Sequence, residues 1–226
     1  MRQLTFFFLG IVLLTGCRSD PPAEPSKAVL IEPARNEECT PVVDSNDDSN
    51  VVRFAWQAAD NAESYELKVI DLISGEPETI PTTQTTVTLS LQKGNPFSWT
   101  VISKNSQTTV DVSSDTWFFY NPGAQTDHVP FPAEIIAPRP GAGAFKNADN
   151  EVELQWSGSD VDNDIESYDI FFSTENPPDI LIANTEANET TLEVSVIPST
   201  VYYWKVITKD AEGNLSDTGV LDFKVF

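Results

Sequence analysis

Basic residues are scarce: 13 Lys and Arg stand against 35 Asp and Glu, and the 226-residue chain carries a net charge of −22 at pH 7. That balance excludes a nucleic acid partner, because phosphate recognition needs clustered Lys and Arg. It also excludes a protein body pressed on anionic lipid. Only two cysteines occur, Cys17 and Cys39, so no disulfide framework holds the fold. The single histidine, His128, has no second imidazole to complete a zinc or nucleophile site, and is read as a connector residue. No sustained helical period appears, and no apolar run approaches the roughly 20 residues that a membrane-spanning helix needs.

What is present begins with the N-terminal segment. Met1-Arg2 precedes an apolar stretch from Phe6 to Leu14, which closes on Leu14-Thr15-Gly16-Cys17. The pattern is that of an export signal, and its last four residues resemble the bacterial lipobox, in which cleavage leaves an acylated cysteine at the new N-terminus. Residues 1–16 are thus expected to be a lipoprotein signal peptide and Cys17 the lipidation site; the alternative is an ordinary signal with an incidental cysteine. Loss of residues 1–16 removes Arg2 and no acid, moving the charge from −22 to −23. Acyl chains anchor at about 0.8 kcal/mol per buried CH₂, with no spanning helix required. The expected location is the outer membrane or cell surface, the body standing in the periplasm or outside the cell.

The remaining chain reads as one module written twice. Trp56 answers Trp156, Tyr65 answers Tyr168, Trp99 answers Trp204 and Phe118 answers Phe223, at offsets of 100, 103, 105 and 105. An offset that grows in steps is what loop insertions between conserved strands produce. Within each copy apolar residues alternate: Val52, Phe54 and Trp56 with Arg53 and Ala55; Val152, Leu154 and Trp156 with Glu153 and Gln155. Period two marks strands with one buried face. The organisation is therefore a Pro-rich tether at 17–27, module one at 28–120, a connector at 121–130 and module two at 131–226. The fold class is all-β, two tandem immunoglobulin-like Greek-key sandwiches.

Several of these residues carry a resemblance. A proline-ended first strand, the Trp of the second strand, the Tyr of the third, and Val201-Tyr202-Tyr203-Trp204-Lys205-Val206 followed by Lys209-Asp210-Ala211-Glu212-Gly213-Asn214-Leu215-Ser216 resemble the fibronectin type III-like modules of surface lipoproteins in Bacteroidetes-type bacteria. The resemblance implies adhesion, spacing or ligand display, with no chemistry common to the family. Some such modules accompany glycan-uptake systems, so the partners it implies are a glycan or another envelope protein, with the membrane reached through the lipid anchor.

Three features stand out from the scaffold. Asp160-Val161-Asp162-Asn163-Asp164 fills a loop between strands that is three residues longer in module two than in module one. Alternate carboxylates at Asp160, Asp162 and Asp164 suit a hard cation such as Ca²⁺, although Ile165 and Phe171 stand where the helix-loop-helix calcium motif needs Gly and Glu. A merely solvated loop is the alternative. Second, with Phe118 aligned to the core residue Phe223, the alternation turns Trp117 and Phe119 outward, and the same parity turns Phe171 and Tyr203 of module two outward. Such aromatics are expected to form a ligand-binding face, unless a shifted strand register, module packing or a covering loop buries them. Third, an acidic insert spans 37–49, the usual signature of a solvated loop. No Ser, Cys or Thr nucleophile is matched to a base, and two sandwiches of about 95 residues leave no separate catalytic domain, so no enzymatic activity is expected.

Overall fold

The computed structural model describes residues 22–39, 42–46, 48–124 and 127–226. The signal segment, Cys17 and the start of the tether lie outside the described residues. Module one is built from β1 (Val29–Glu32), β2 (Glu37–Glu38), β3 (Asp44–Ser45), β4 (Ser49–Gln57), β5 (Ser64–Asp71), β6 (Pro77–Thr82), β7 (Thr86–Gln92), β8 (Pro96–Lys104), β9 (Val112–Ser113) and β10 (Trp117–Tyr120). In one sheet β4 pairs with β1, β3 and β7; the other runs β2-β10-β8-β5-β6, with β9 on β8. Module two repeats the plan with β11 (Phe131–Ala137), β12 (Ala142–Ala144), β13 (Glu151–Ser159), β14 (Ile165–Ser173), β15 (Leu181–Glu186), β16 (Thr191–Ser195), β17 (Val201–Asp210), β18 (Leu215–Asp217) and β19 (Leu221–Val225). Its sheets run β11-β13-β16 and β12-β19-β17-β14-β15, with β18 on β17.

Each sandwich closes on its own apolar core. Val52, Phe54, Trp56, Leu67, Trp99 and Val101 fill the first; Leu154, Trp156, Ile170, Trp204, Val206 and Phe223 fill the second. The same edge-on aromatic pair stands in both, Trp56 on Tyr65 with ring centroids 5.6 Å apart and Trp156 on Tyr168 at 5.8 Å. Burying one such large side chain stabilises by about 1.5–3 kcal/mol. Repetition of the pair in two separate cores is the physical counterpart of the sequence repeat.

The last strand of module one departs from the sequence expectation. β10 pairs antiparallel with β8 so that Trp117 lies opposite Trp99 and Phe119 opposite Phe97. Directly opposed residues point to the same face, and Trp99 and Phe97 are core residues, so Trp117 and Phe119 turn inward. Phe119 is fully buried, its ring 5.7 Å from Phe54 and 5.5 Å from Phe97. Trp117 is half-buried and packs edge-on against Trp99 at 6.0 Å. In module two the equivalent pair is Tyr202 opposite Phe223. Phe119, not Phe118, is therefore the counterpart of Phe223, and the outward reading of Trp117 and Phe119 was off by one residue.

Phe118, which does face outward, is covered by the neighbouring module. Its ring stacks on Phe131 at 6.1 Å, and Phe131, the first residue of β11, is itself fully buried. Tyr120 adds an edge contact to Phe131 at 6.3 Å and another to His128 at 4.5 Å, while Arg35 pairs with Glu134 across the same boundary. The connector is anchored at its start by Asn121, which is fully buried. Its side-chain amide donates to Leu91 O at 2.9 Å and Gln92 O at 2.7 Å, and its oxygen accepts from Asn50 Nδ2 at 3.1 Å.

Candidate metal centre at the module junction

The loop joining β13 to β14 holds Asp160, Asp162 and Asp164, and β14 pairs with β17 so that Ile165 lies opposite Asp210. This register carries the turn after β17 to the loop before β14, where the Ala211 N–H donates to Asp164 O at 3.1 Å. One carboxylate oxygen from each of Asp160, Asp162 and Asp164 lies within 4.8 Å of the others, and the same holds for Asp127, Asp210 and Glu212. The sequence reading found the first three. It missed Asp127 in the connector and the Asp210, Glu212 pair, although the latter stand two apart in the very turn quoted for the family resemblance.

The two groups touch. Asp164 contacts both Asp160 and Glu212, and Asn214 bridges Asp210 to Asp127, its Nδ2 donating at 2.8 Å to Asp210 Oδ2 and at 3.4 Å to Asp127 Oδ2. Asp210 is fully buried and satisfied, since its Oδ1 also accepts the Asn214 backbone N–H at 2.7 Å. Gly213, at φ 90°, supplies the left-handed step that closes this turn. The connector holds Asp162 from the other side: the His128 backbone N–H donates to Asp162 Oδ2 at 2.8 Å, and its ring Nδ1 lies 2.9 Å from Oδ1. A carboxylate only accepts, so His128 carries its proton on Nδ1.

Asp160 is the least comfortable member. It is 6% exposed, and while Oδ1 accepts the Val161 N–H at 2.8 Å, Oδ2 is buried with no hydrogen-bond partner among the described residues; Asp164 Oδ1 is in the same state. Burial first, and then the Asp164 carboxylate, push Asp160 up to about 7. Contact with Asp164 likewise pushes Glu212 up to about 7, and its contacts with Asp160 and Glu212 hold Asp164 itself below the ordinary carboxylate range. Among the described residues no Lys or Arg forms an ion pair with any of the six acids. An all-oxygen, carboxylate-rich set of this kind suits Ca²⁺ rather than a thiolate- or imidazole-seeking metal.

The aromatic residues anticipated as a ligand face divide. Trp117 and Phe119 belong to the core side of β10, and a fully buried Phe119 has no surface to offer. Phe171 and Tyr203 lie half-buried on the outer face of β14 and β17, alternating with buried Ile170, Phe172, Tyr202 and Trp204. The Lys205 ammonium sits 5.1 Å from the centre of the Phe171 ring. Further along the same face a groove of about 710 Å³ is lined by Asp169, Asn184, Glu166 and Lys209. In it Asn184 Nδ2 donates to Asp169 Oδ1 at 2.7 Å, and Lys209 Nζ lies 2.9 Å from Glu166. Cys39 is buried and unpaired, and burial, with Glu32 and Glu38 adding to it, pushes its thiol up to about 11.

The strand order and paired cores define two fibronectin type III-like sandwiches in series. No family model and no curated relative matches the chain. Among solved structures it is similar, over 88% of its length and 93% of the other chain, to the fibronectin(III)-like modules of Clostridium thermocellum CbhA, at 12% identity and a TM-score of 0.34. It is also similar to a two-domain fibronectin type III segment of chicken tenascin, covering 87% of this chain and 98% of that one, at 13% identity and a TM-score of 0.28.

Proposed function

We propose that this protein is a non-enzymatic lipoprotein of the cell envelope, acylated at Cys17, whose two sandwiches display a glycan-binding or adhesive surface beyond the membrane. The anchor reading rests on the Leu14-Thr15-Gly16-Cys17 sequence after the apolar segment. The observation that carries the binding reading is the outer face of module two, which presents Phe171 and Tyr203 and, further along the same strands, the polar groove of Asp169, Asn184 and Lys209. Sugar rings present an apolar face bordered by hydroxyls, so a flat aromatic surface next to fixed carboxylate, amide and ammonium groups matches both halves of that chemistry.

The test is retention on insoluble and soluble polysaccharides, comparing wild type with Phe171→Ala and Asp169→Ala. Retention by the wild type that falls in both variants supports a carbohydrate site. Absence of retention by the folded wild type removes the glycan reading and leaves a docking subunit of an envelope complex. Anchoring is tested separately by labelling cells with radioactive palmitate: the label is expected on the wild type and lost in Cys17→Ser.

A further inference from the structure

We infer that the acidic centre between the connector and module two is a calcium site that locks the connector onto that module. The inference is independent of what the outer face binds. Two carboxylate trios join here through the contact of Asp164 with Glu212, and within the first Asp160, only 6% exposed, holds a buried oxygen without a hydrogen-bond partner. Holding an uncompensated carboxylate oxygen out of water is costly unless an opposite charge or a donor meets it. Among the described residues no N–H or hydroxyl donor reaches it, and its neighbour is a second carboxylate, Asp164. A divalent cation answers the whole arrangement, since calcium takes 6 to 8 oxygens at about 2.3–2.6 Å in irregular geometry.

Asp162 and Asp127 give the site its second property. Asp127 is supplied by the connector, while Asp160, Asp162, Asp164, Asp210 and Glu212 come from the β13–β14 loop and the turn after β17. Asp162 is held by the backbone N–H and the ring Nδ1 of connector residue His128, whose ring in turn rests edge-on on Tyr120 of β10. An ion bound by these carboxylates therefore ties connector to module two directly, and module one follows through Tyr120 and the Phe118–Phe131 stack. The smaller Mg²⁺ demands near-octahedral geometry and keeps several of its waters, so it fits a multi-carboxylate cluster less well.

The experiment uses the chain from Arg18 onward, with Ca²⁺ and Mg²⁺ as probes in calorimetric titration, and small-angle scattering with calcium or chelator to read the joint. Binding of Ca²⁺ in preference to Mg²⁺, lost at least about tenfold in Asp160→Asn and weakened in Asp127→Asn, is the expected result. Scattering is expected to show a narrower range of module arrangements with calcium than with chelator, and this difference is expected to shrink in the surface variant Asp127→Asn, whose fold is read independently by circular dichroism. No heat of binding and an unchanged melting temperature with calcium would overturn the site. Calcium binding with identical scattering in both conditions would overturn the lock.

Discussion

Replacing Phe119 by Ala tests the strand register on which the aromatic assignment turns. The side chain is fully buried, lies opposite Phe97, and makes ring contacts to Phe54 and Phe97 at 5.7 and 5.5 Å. Truncating a buried Phe costs about 3–5 kcal/mol, the lost transfer energy being joined by the cavity left between the two sheets. Phe118, one residue earlier, is half-buried against Phe131, and its truncation forfeits about 1 kcal/mol of partial burial. For a domain of about 95 residues each kcal/mol lowers the melting temperature by about 4–8 °C. Calorimetry should thus place the module-one transition of Phe119→Ala lower by about 12 °C or more, against about 4–8 °C for Phe118→Ala. The opposite order, with Phe118→Ala the more damaging, would refute the register and return Phe119 to the surface.

Two further predictions concern buried polar groups. With its thiol pushed up to about 11, folded Cys39 is ionised in only about one molecule in a thousand at pH 8, so iodoacetamide should label it over 100-fold more slowly than in urea; equal rates would refute its burial. Because the folded value is raised, the preference for the folded state is complete below the unfolded thiol value near 8.5 and should be lost as pH climbs from there through 11. Asn121→Ala removes the amide that meets the Leu91 and Gln92 carbonyls and leaves Asn50 Nδ2 with only the Pro122 carbonyl, and should cost about 1–3 kcal/mol in urea unfolding. An unchanged midpoint would show that water replaces the amide.

The sandwich cores were legible because alternation is unambiguous where apolar and polar residues truly alternate, as in Val152-Glu153-Leu154-Gln155-Trp156, and its counterpart at Val52 departs from that only at the small, buried Ala55. β10 offered no such contrast. Trp117-Phe118-Phe119-Tyr120 is aromatic throughout, so parity had to be borrowed from the other copy, and a change of one residue in the repeat offset inverted it. The pairing of Trp117 with Trp99 fixes what the pattern could not, and the burial of Phe131 explains why an outward Phe118 is tolerated. Half of the acidic centre was visible for a similar reason. Asp160, Asp162 and Asp164 stand at regular spacing in one loop, whereas Asp127 and Glu212 are separated from them by many residues and meet them only through the pairing of β14 with β17 and the path of the connector.

Ion pairing with Lys and Arg is concentrated away from the acidic joint. Most ion-paired basic side chains lie within the module bodies, Lys104 on Glu66 and Asp111, Lys205 on Asp217, Lys209 on Glu166 and Arg53 on Glu32, while Lys27 of the tether pairs with Asp115 and Arg35 crosses to Glu134. These solvent-screened pairs leave stability to the apolar cores. Among the described residues none of the six carboxylates around Asp160 and Asp210 is ion-paired to Lys or Arg, and Asp162 meets the His128 imidazole. Apolar burial is insensitive to the ions outside, whereas a cluster of like charges is not. Changes in divalent cation concentration should therefore act on the angle and freedom between the modules, through Asp127 and the His128–Asp162 contact, while each sandwich keeps its structure.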